Sequence, residues 1–249
     1  LLAFVCPVTI PYWCIIIGDF FAMIVVKAIF GGIGRNIVNP ALAGRAFMFS
    51  YPALMTRWAK PGFFGAAGLF NTADAVTAAT PLANMSKGML PEATLSELFL
   101  GNIGGAMGET CVIAILIGAI FLIAMKIISP IIPVFFVATV FIFAFLYYTI
   151  SGNTPEGMSA LYMACFHVCA GGVMFGAVFC ATDYVTSPIM PLGKVLFGIG
   201  CGLVTMIIRL FCSYPEGVSF AILFMNIMTP LLDGFAQDQF YGISKRKKE

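Results

Sequence analysis

Residues 31–40 read Gly-Gly-Ile-Gly-Arg-Asn-Ile-Val-Asn-Pro, and this stretch interrupts a chain that is otherwise strongly apolar. The preceding residues, 13–30, are almost entirely apolar and long enough to span a bilayer. The following apolar stretch, 41–50, is too short to cross a hydrocarbon core of about 30 Å at 1.5 Å per residue. Asn39 suits a helix N-cap and Pro40 a first helical turn. The stretch therefore predicts a broken or re-entrant helix whose N-terminus points into the protein.

The composition places the whole chain in a membrane. Of its 249 residues, 61% are hydrophobic and only 10% are charged, whereas a soluble domain carries about 25% charged residues. We therefore predict an all-α polytopic membrane protein, a helical bundle that forms a single membrane domain over residues 1–249. The net charge of +2 gives no reason to expect nucleic acid as a partner. Because the chain begins at Leu1 inside an apolar run, we expect it to be a fragment that lacks its N-terminal part.

Five further apolar stretches predict membrane spans, at about 108–126, 131–150, 160–180, 194–213 and 218–235. The last residues, 240–249, include four basic side chains and are expected to be a cytoplasmic tail by the positive-inside rule. Five crossings separate this tail from the longest polar stretch, 57–107, which is then external. Glycines within the predicted spans favour close helix–helix packing; they are Gly171, Gly172, Gly198, Gly200 and Gly202.

The external stretch contains Asp-Ala-Val-Thr-Ala-Ala-Thr at residues 74–80, followed by Pro81. This segment resembles the acceptor motif for covalent flavin, in which FMN is joined through its phosphate to the last Thr hydroxyl. That residue is Thr80, with Asp74 and Thr77 expected to assist recognition or to hold the loop. Small neighbours and an extended backbone before Pro81 leave the hydroxyl accessible. The competing interpretation is an ordinary Asp/Thr turn.

Several segments together resemble the RnfD/NqrB family of membrane redox subunits, and most closely its RnfD branch. They are residues 31–47, Ala-Thr-Pro-Leu-Ala at 79–83, Gly-Asn-Ile-Gly-Gly at 101–105, Ala-Thr-Asp at 181–183 and Tyr-Pro-Glu-Gly at 214–217. The resemblance covers nearly the whole chain. The sequence departs from the commonest motif at Ala78, where Gly is frequent, and Ala is small enough to keep the hydroxyl accessible.

The resemblance implies a subunit of the Rnf complex, which moves electrons between reduced ferredoxin and NAD⁺ and couples this to Na⁺ or H⁺ transport. The subunit would lie in the plasma membrane of a bacterium or archaeon beside the other subunits of the complex. It would carry FMN on Thr80, attached externally by a flavin transferase, and would act as an electron-transfer subunit rather than a stand-alone enzyme. A second flavin, riboflavin, is implied near Asn36 and Asn39, whose alternative role is helix capping. The fold would be similar to that of urea transporters.

Ionisable residues within or beside apolar spans are functional candidates because a membrane interior disfavours charge. Asp19, Glu109 and Asp183 are the ion-coupling candidates, although Asp183 also suits a solvated helix end. Lys27 and Arg209 are expected either to face the bundle or to reach the interface. The only histidine, His167, is expected to be a packed helix residue. The cysteines show no ligand spacing for zinc or an iron–sulfur cluster.

Three other interpretations remain open from the sequence. A small-solute channel is suggested by the broken helix and by the implied similarity to urea transporters, although fold analogy alone is weak support. An NqrB-type subunit of a Na⁺-translocating NADH:quinone reductase is the alternative within the family. A subunit that only docks redox partners would carry no flavin.

Overall fold

The structure is a computed structural model that describes residues 1–56, 58–59, 77–78, 82, 93–101, 103–152, 154, 158–212 and 216–240. For residues 59, 77–78 and 237–240 it describes the backbone only. The described part of the chain is helical apart from one pair of two-residue strands. The all-helical architecture predicted from the sequence is therefore confirmed.

The first half of the chain contains the predicted broken helix. A 3₁₀ turn at Leu2–Val5 precedes α1, Tyr12–Phe20, which continues directly as a π-helix over Phe21–Ala28. Gly31, Gly32 and Gly34 then take φ angles of 109°, 87° and 86°, which side chains rarely adopt and which end the helix. Helix α2, Pro40–Met48, begins after this break, and α3, Pro52–Met55, follows it.

The predicted external stretch, 57–107, is described only in part. Strands β1, Trp58–Ala59, and β2, Thr77–Ala78, pair antiparallel, with Trp58 opposite Ala78. Helix α4, Leu95–Leu100, begins at Thr94, whose backbone N–H donates to the Glu97 side chain at 2.8 Å. The next helix, α5, is Val112–Ala124 and is shorter than the span predicted at 108–126. Glu109 therefore lies in a loop rather than in a helix.

Three long helices confirm predicted spans: α6, Ile131–Ser151; α9, Pro191–Phe211; and α10, Val218–Phe240. The span predicted at 160–180 is interrupted: its two helical parts together are apolar and long enough to cross a membrane, but they are bent at a break. Helix α7, Ala160–Cys169, stops at residues 170–172, and the chain resumes as α8, Val173–Phe175, and a π-helix over Gly176–Cys180. The two parts are bent by 58°. The bend occurs where Gly171 takes a φ of 68°, a left-handed conformation that breaks helical hydrogen bonding.

Helix α9 packs against α6 and α10 at the centre of the bundle. A Cβ at Gly198 would lie 3.0 Å from the Ile132 carbonyl, and one at Gly202 would lie 2.6 Å from Thr139 Cβ. Glycine at these two positions therefore lets α9 approach α6 closely, as the sequence predicts. Gly171 and Gly172 were expected to serve the same purpose, but they form the break between α7 and α8. The outer faces of the helices carry exposed apolar side chains, as lipid contact requires.

Candidate functional site

Described residues lie within and just after the predicted flavin-attachment motif, 74–80. Asp74 and Thr80 lie outside the described residues, and Thr77 is described by its backbone alone. On the N-terminal side, β2 is held by its pairing with β1. On the C-terminal side, Leu82 is only 3% exposed and belongs to the apolar core. The strand pair thus holds the chain at residues 77–78, and Leu82 holds it two residues after the predicted attachment position, Thr80.

Leu82 packs beside a buried charge cluster, formed by Arg45, Glu109, Glu216 and Ser219. From α2, Arg45 Nη1 donates to Glu109 Oε1 at 3.3 Å and to Ser219 Oγ at 2.8 Å. Its Nη2 donates to Glu216 Oε2 at 2.5 Å. The side chains of Arg45 and Glu109 are each only 3% exposed, so little water screens these charges. One guanidinium therefore ties together the broken helix, the loop before α5 and the start of α10.

The break between α7 and α8 lies against this cluster, and opposite charges occupy its two sides. Arg209, from α9, donates to the carbonyls of His167 at 2.5 Å and Ala170 at 3.0 Å, where α7 ends. On the other side, a Cβ at Gly172 would lie 2.5 Å from Glu109 Oε1. A cation at a helix C-terminus and a carboxylate at a helix N-terminus both complement the peptide dipoles. The break is therefore stabilised by the charged groups packed around it.

A small cavity of about 10 Å³ opens beside Glu109, Glu216 and Gly171, with Leu82 in its wall. This volume has room for about one water molecule. Glu109 Oε2 is buried and has no hydrogen-bond partner among the described residues. Burial raises the pKa of the Glu109 carboxyl to about 7; the Arg45 guanidinium opposes this rise and the Glu216 carboxylate adds to it. Glu109 can thus change its protonation state near neutral pH.

Asn39 performs the capping role that was one of its two predicted roles. Its side-chain oxygen accepts from the N–H groups of Ala41 at 3.0 Å and Leu42 at 3.3 Å. Its amide nitrogen donates to the Cys180 carbonyl at 3.1 Å, so the helix start points into the protein as predicted. Asn36 is buried as well, and its amide nitrogen donates to the Val38 carbonyl at 3.2 Å.

The structure brings only one of the three ion-coupling candidates into the charge cluster. Glu109 is a member, whereas Asp19 is exposed on α1. Asp183 is half-buried in the loop after the second π-helix, where it accepts a hydrogen bond from Thr186 Oγ1 at 3.1 Å. His167 is buried and hydrogen-bonded to the Tyr148 hydroxyl at 3.0 Å, which fits the predicted packed residue. Lys27 is half-buried on the first π-helix.

The sequence interpretation missed Arg45, Glu216 and Ser219 as site residues. Arg45 had a usable signal, because it is a lone cation in a short apolar helix and such residues are functional candidates by default. Glu216 lies 171 residues from Arg45 along the chain, and this separation hides their contact from sequence reasoning.

A larger apolar groove of about 360 Å³ lies between the N-terminal turn, the loop before α5 and the second π-helix. Its wall includes Phe4, Phe175 and Phe179, with Thr110 as a polar neighbour. The groove and the small cavity border the same segment, 103–111. This loop therefore separates an apolar surface from the charged interior.

Comparison with known proteins gives a consistent result. The profile of the NQR2, RnfD, RnfE family matches residues 1–242. The D subunit of the Na⁺-translocating ferredoxin:NAD⁺ oxidoreductase complex of Acetobacterium woodii is 44% identical over the whole chain and 73% of its own length. The D subunit of the proton-translocating ferredoxin:NAD⁺ oxidoreductase complex of Clostridium ljungdahlii is 39% identical over 97% of this chain and 72% of its own. The D subunit of the ion-translocating oxidoreductase complex of Stutzerimonas stutzeri is 35% identical over the whole chain and 75% of its own length.

Proposed function

This chain belongs to the NQR2, RnfD, RnfE family, and from that membership we propose that it is the subunit of an Rnf-type complex that carries covalent FMN on Thr80. The names of its relatives support electron transfer between ferredoxin and NAD⁺ coupled to ion transport. One of these relatives is named for Na⁺ and another for protons, so the names leave the coupling ion open. The NqrB-type alternative is not favoured, because the relatives compared are all named as D subunits of ion-translocating oxidoreductase complexes.

The observation that carries the FMN proposal is the anchoring of the attachment motif. A phosphoester to Thr80 requires a hydroxyl that a transferase can reach, and its attached flavin requires a fixed location to exchange electrons. Pairing of β2 with β1 inside the motif and burial of Leu82 just after it restrict the chain on both sides of position 80. Because consecutive Cα atoms are about 3.8 Å apart, a flavin attached two residues before Leu82 would be held in the neighbourhood of that buried side chain. The described flanks therefore fit a flavin held near the charge cluster.

In this function the chain positions the flavin and shields it from water, while the flavin supplies the electron-transfer chemistry when bound. Thr80 provides the phosphate attachment, and Asp74 and Thr77 support the loop. The charge cluster provides fixed, nearly unscreened charges close to the motif, which influence the energy of adding an electron there. The side-chain amide of Asn39 already forms hydrogen bonds to the Cys180 carbonyl and the Ala41 N–H. The proposal of a second flavin, riboflavin, therefore rests on Asn36.

The proposed setting is the plasma membrane of a bacterium or archaeon, with the Thr80 loop external and the C-terminus cytoplasmic. The partners are the other subunits of the complex, and a flavin transferase during maturation. The fold would be similar to that of urea transporters. A small-solute channel is the second candidate from the sequence, but the cavity among the described central residues has room for about one water molecule and gives it no support.

The experiment is to express the full-length protein together with its flavin transferase and to denature it. We expect flavin fluorescence on the denaturing gel and an added FMN mass on the peptide that contains Thr80. Thr80→Val should abolish both signals, whereas Ser86→Ala removes a hydroxyl from the same loop and should leave them intact. Absence of flavin from the wild-type protein, with a transferase that modifies a control substrate, would refute the proposal.

A further inference from the structure

The carboxylate of Glu109 is only half satisfied by its surroundings. Its Oε1 accepts from Arg45 at 3.3 Å, but its Oε2 is buried without a partner among the described residues. Glu109 as a whole is 4% exposed. An ionised acceptor left unpaired in such a place costs free energy, and a bound water molecule or a proton on the oxygen removes that cost.

The cavity next to this carboxylate suits a single water molecule. It measures about 10 Å³ and is lined by Gly104, Gly105, Glu109, Gly171 and Glu216 together with apolar side chains. The glycines leave backbone carbonyl and N–H groups uncovered by side chains. A water molecule there would lie beside the Glu109 and Glu216 carboxylates, which can accept hydrogen bonds from it.

The charges around Glu109 favour a proton over a metal cation. Arg45 on α2 and Arg209 on α9 are positive, and Glu216 before α10 is negative. The thiols of Cys6 and Cys180 are the other titratable groups that interact with Glu109. A Na⁺ ion would need several oxygen ligands in a space for one water molecule, and both guanidinium groups would repel it. A proton forms one bond to Oε2 and needs no further ligands.

We propose that Glu109 is a proton-binding group of this subunit, which exchanges its proton through a water molecule in the cavity beside Gly171. Proton uptake forms the O–H bond at Oε2 and changes the charge of the two carboxylates and two guanidiniums from zero to +1. Because Leu82 lines this cavity two residues after Thr80, such uptake compensates the charge of an electron arriving nearby. This coupling role rests on the redox function proposed above, whereas protonation of Glu109 does not.

The test is infrared spectroscopy of the purified complex in nanodiscs, titrated from about pH 5 to about pH 9. The carbonyl stretch of a protonated carboxylic acid in a dry environment should appear as the pH falls, with a midpoint near 7. Glu109→Gln should remove this band. Glu97→Gln makes the same change in the side chain that caps α4, and should leave the band in place. The titration is repeated with Na⁺ and with choline as the salt cation.

A second variant decides the matter if Glu109→Gln fails to assemble. Because the Glu216 carboxylate raises the pKa of Glu109, Glu216→Gln should move the band's midpoint to lower pH. A band that persists in Glu109→Gln, or a midpoint unmoved in Glu216→Gln, overturns the proposal. Suppression of the band by Na⁺ but not by choline also overturns it, in favour of a Na⁺ site. Covalent flavin is measured separately, so a protein with the band but without flavin would refute only the redox function.

Discussion

Replacement of Arg45 by Met tests whether the buried charge cluster holds the fold together. The substitution removes the donor to Glu109, Glu216 and Ser219 and keeps a side chain of similar length. Removing one partner of a buried ion pair costs about 3–5 kcal/mol, because the remaining charge is left uncompensated. Here two carboxylates remain, so we expect a loss of about 4 kcal/mol in the free energy of unfolding.

The assay is reversible unfolding of the purified protein in mixed micelles, with increasing mole fractions of SDS. Lys27→Met is the matched control, because Lys27 forms no ion pair with the described residues. We expect it to change the free energy of unfolding by about 0.5 kcal/mol or less. Glu109→Gln should cost about 1–2 kcal/mol, because Arg45 keeps Glu216 as its partner. The double variant Arg45→Met/Glu109→Gln should lose less free energy of unfolding than the two single variants lose together, because the two side chains are in contact.

The pH dependence provides an independent check on Arg45→Met. The Arg45 guanidinium lowers the pKa of Glu109. Without it, the buried Glu109 carboxylate takes up a proton more readily, so the penalty should shrink as the pH falls and Glu109 becomes neutral. An Arg45→Met protein no less stable than Lys27→Met would refute the reasoning. So would a penalty that does not change with pH, because it would show that packing rather than charge determines the loss.

Two further pairs of substitutions, each a test with its comparison, probe the helix breaks. Gly172→Ala would place a Cβ 2.5 Å from Glu109 Oε1 and should lower the free energy of unfolding by about 1–3 kcal/mol. The comparison is Gly234→Ala, whose new Cβ has nothing within 4 Å; it should be neutral or stabilise α10 by up to about 1 kcal/mol. Equal unfolding free energies of the two variants in SDS would contradict the contact between Gly172 and Glu109. Asn39→Ala removes the N-cap and the bond to the Cys180 carbonyl and should cost about 1–2 kcal/mol. Asn36→Ala loses one local hydrogen bond and should lower the free energy of unfolding by about 1 kcal/mol or less. A larger loss for Asn36→Ala than for Asn39→Ala would show that Asn36 contributes more to the stability of this helix start than Asn39 does.

Some of the site could be predicted because its signals are local. The Asn39 side chain accepts from N–H groups two and three residues along the chain, and Pro40 has its φ fixed for the first helical turn, so the start of α2 follows from the sequence around it. The Thr80 motif is also a local pattern, and it stays a prediction because it lies outside the described residues. The break at 170–172 was missed, since two glycines in an apolar run suit close helix packing as well as a turn. Arg209 and Glu109 pack against this break from distant parts of the chain, and the sequence gives no sign of that contact.

The sequence by itself determined that this is a helical membrane protein with a broken helix after residue 30, because apolar length, glycine conformations and helix capping act over short stretches of chain. Only the tertiary structure decided which ionisable groups meet. Arg45 joins Glu109 across 64 residues and Glu216 across 171, while Asp19 stays on an exposed face. The physical reason is that a buried charge must find a partner among all the elements that fold around it, and no local pattern records that choice.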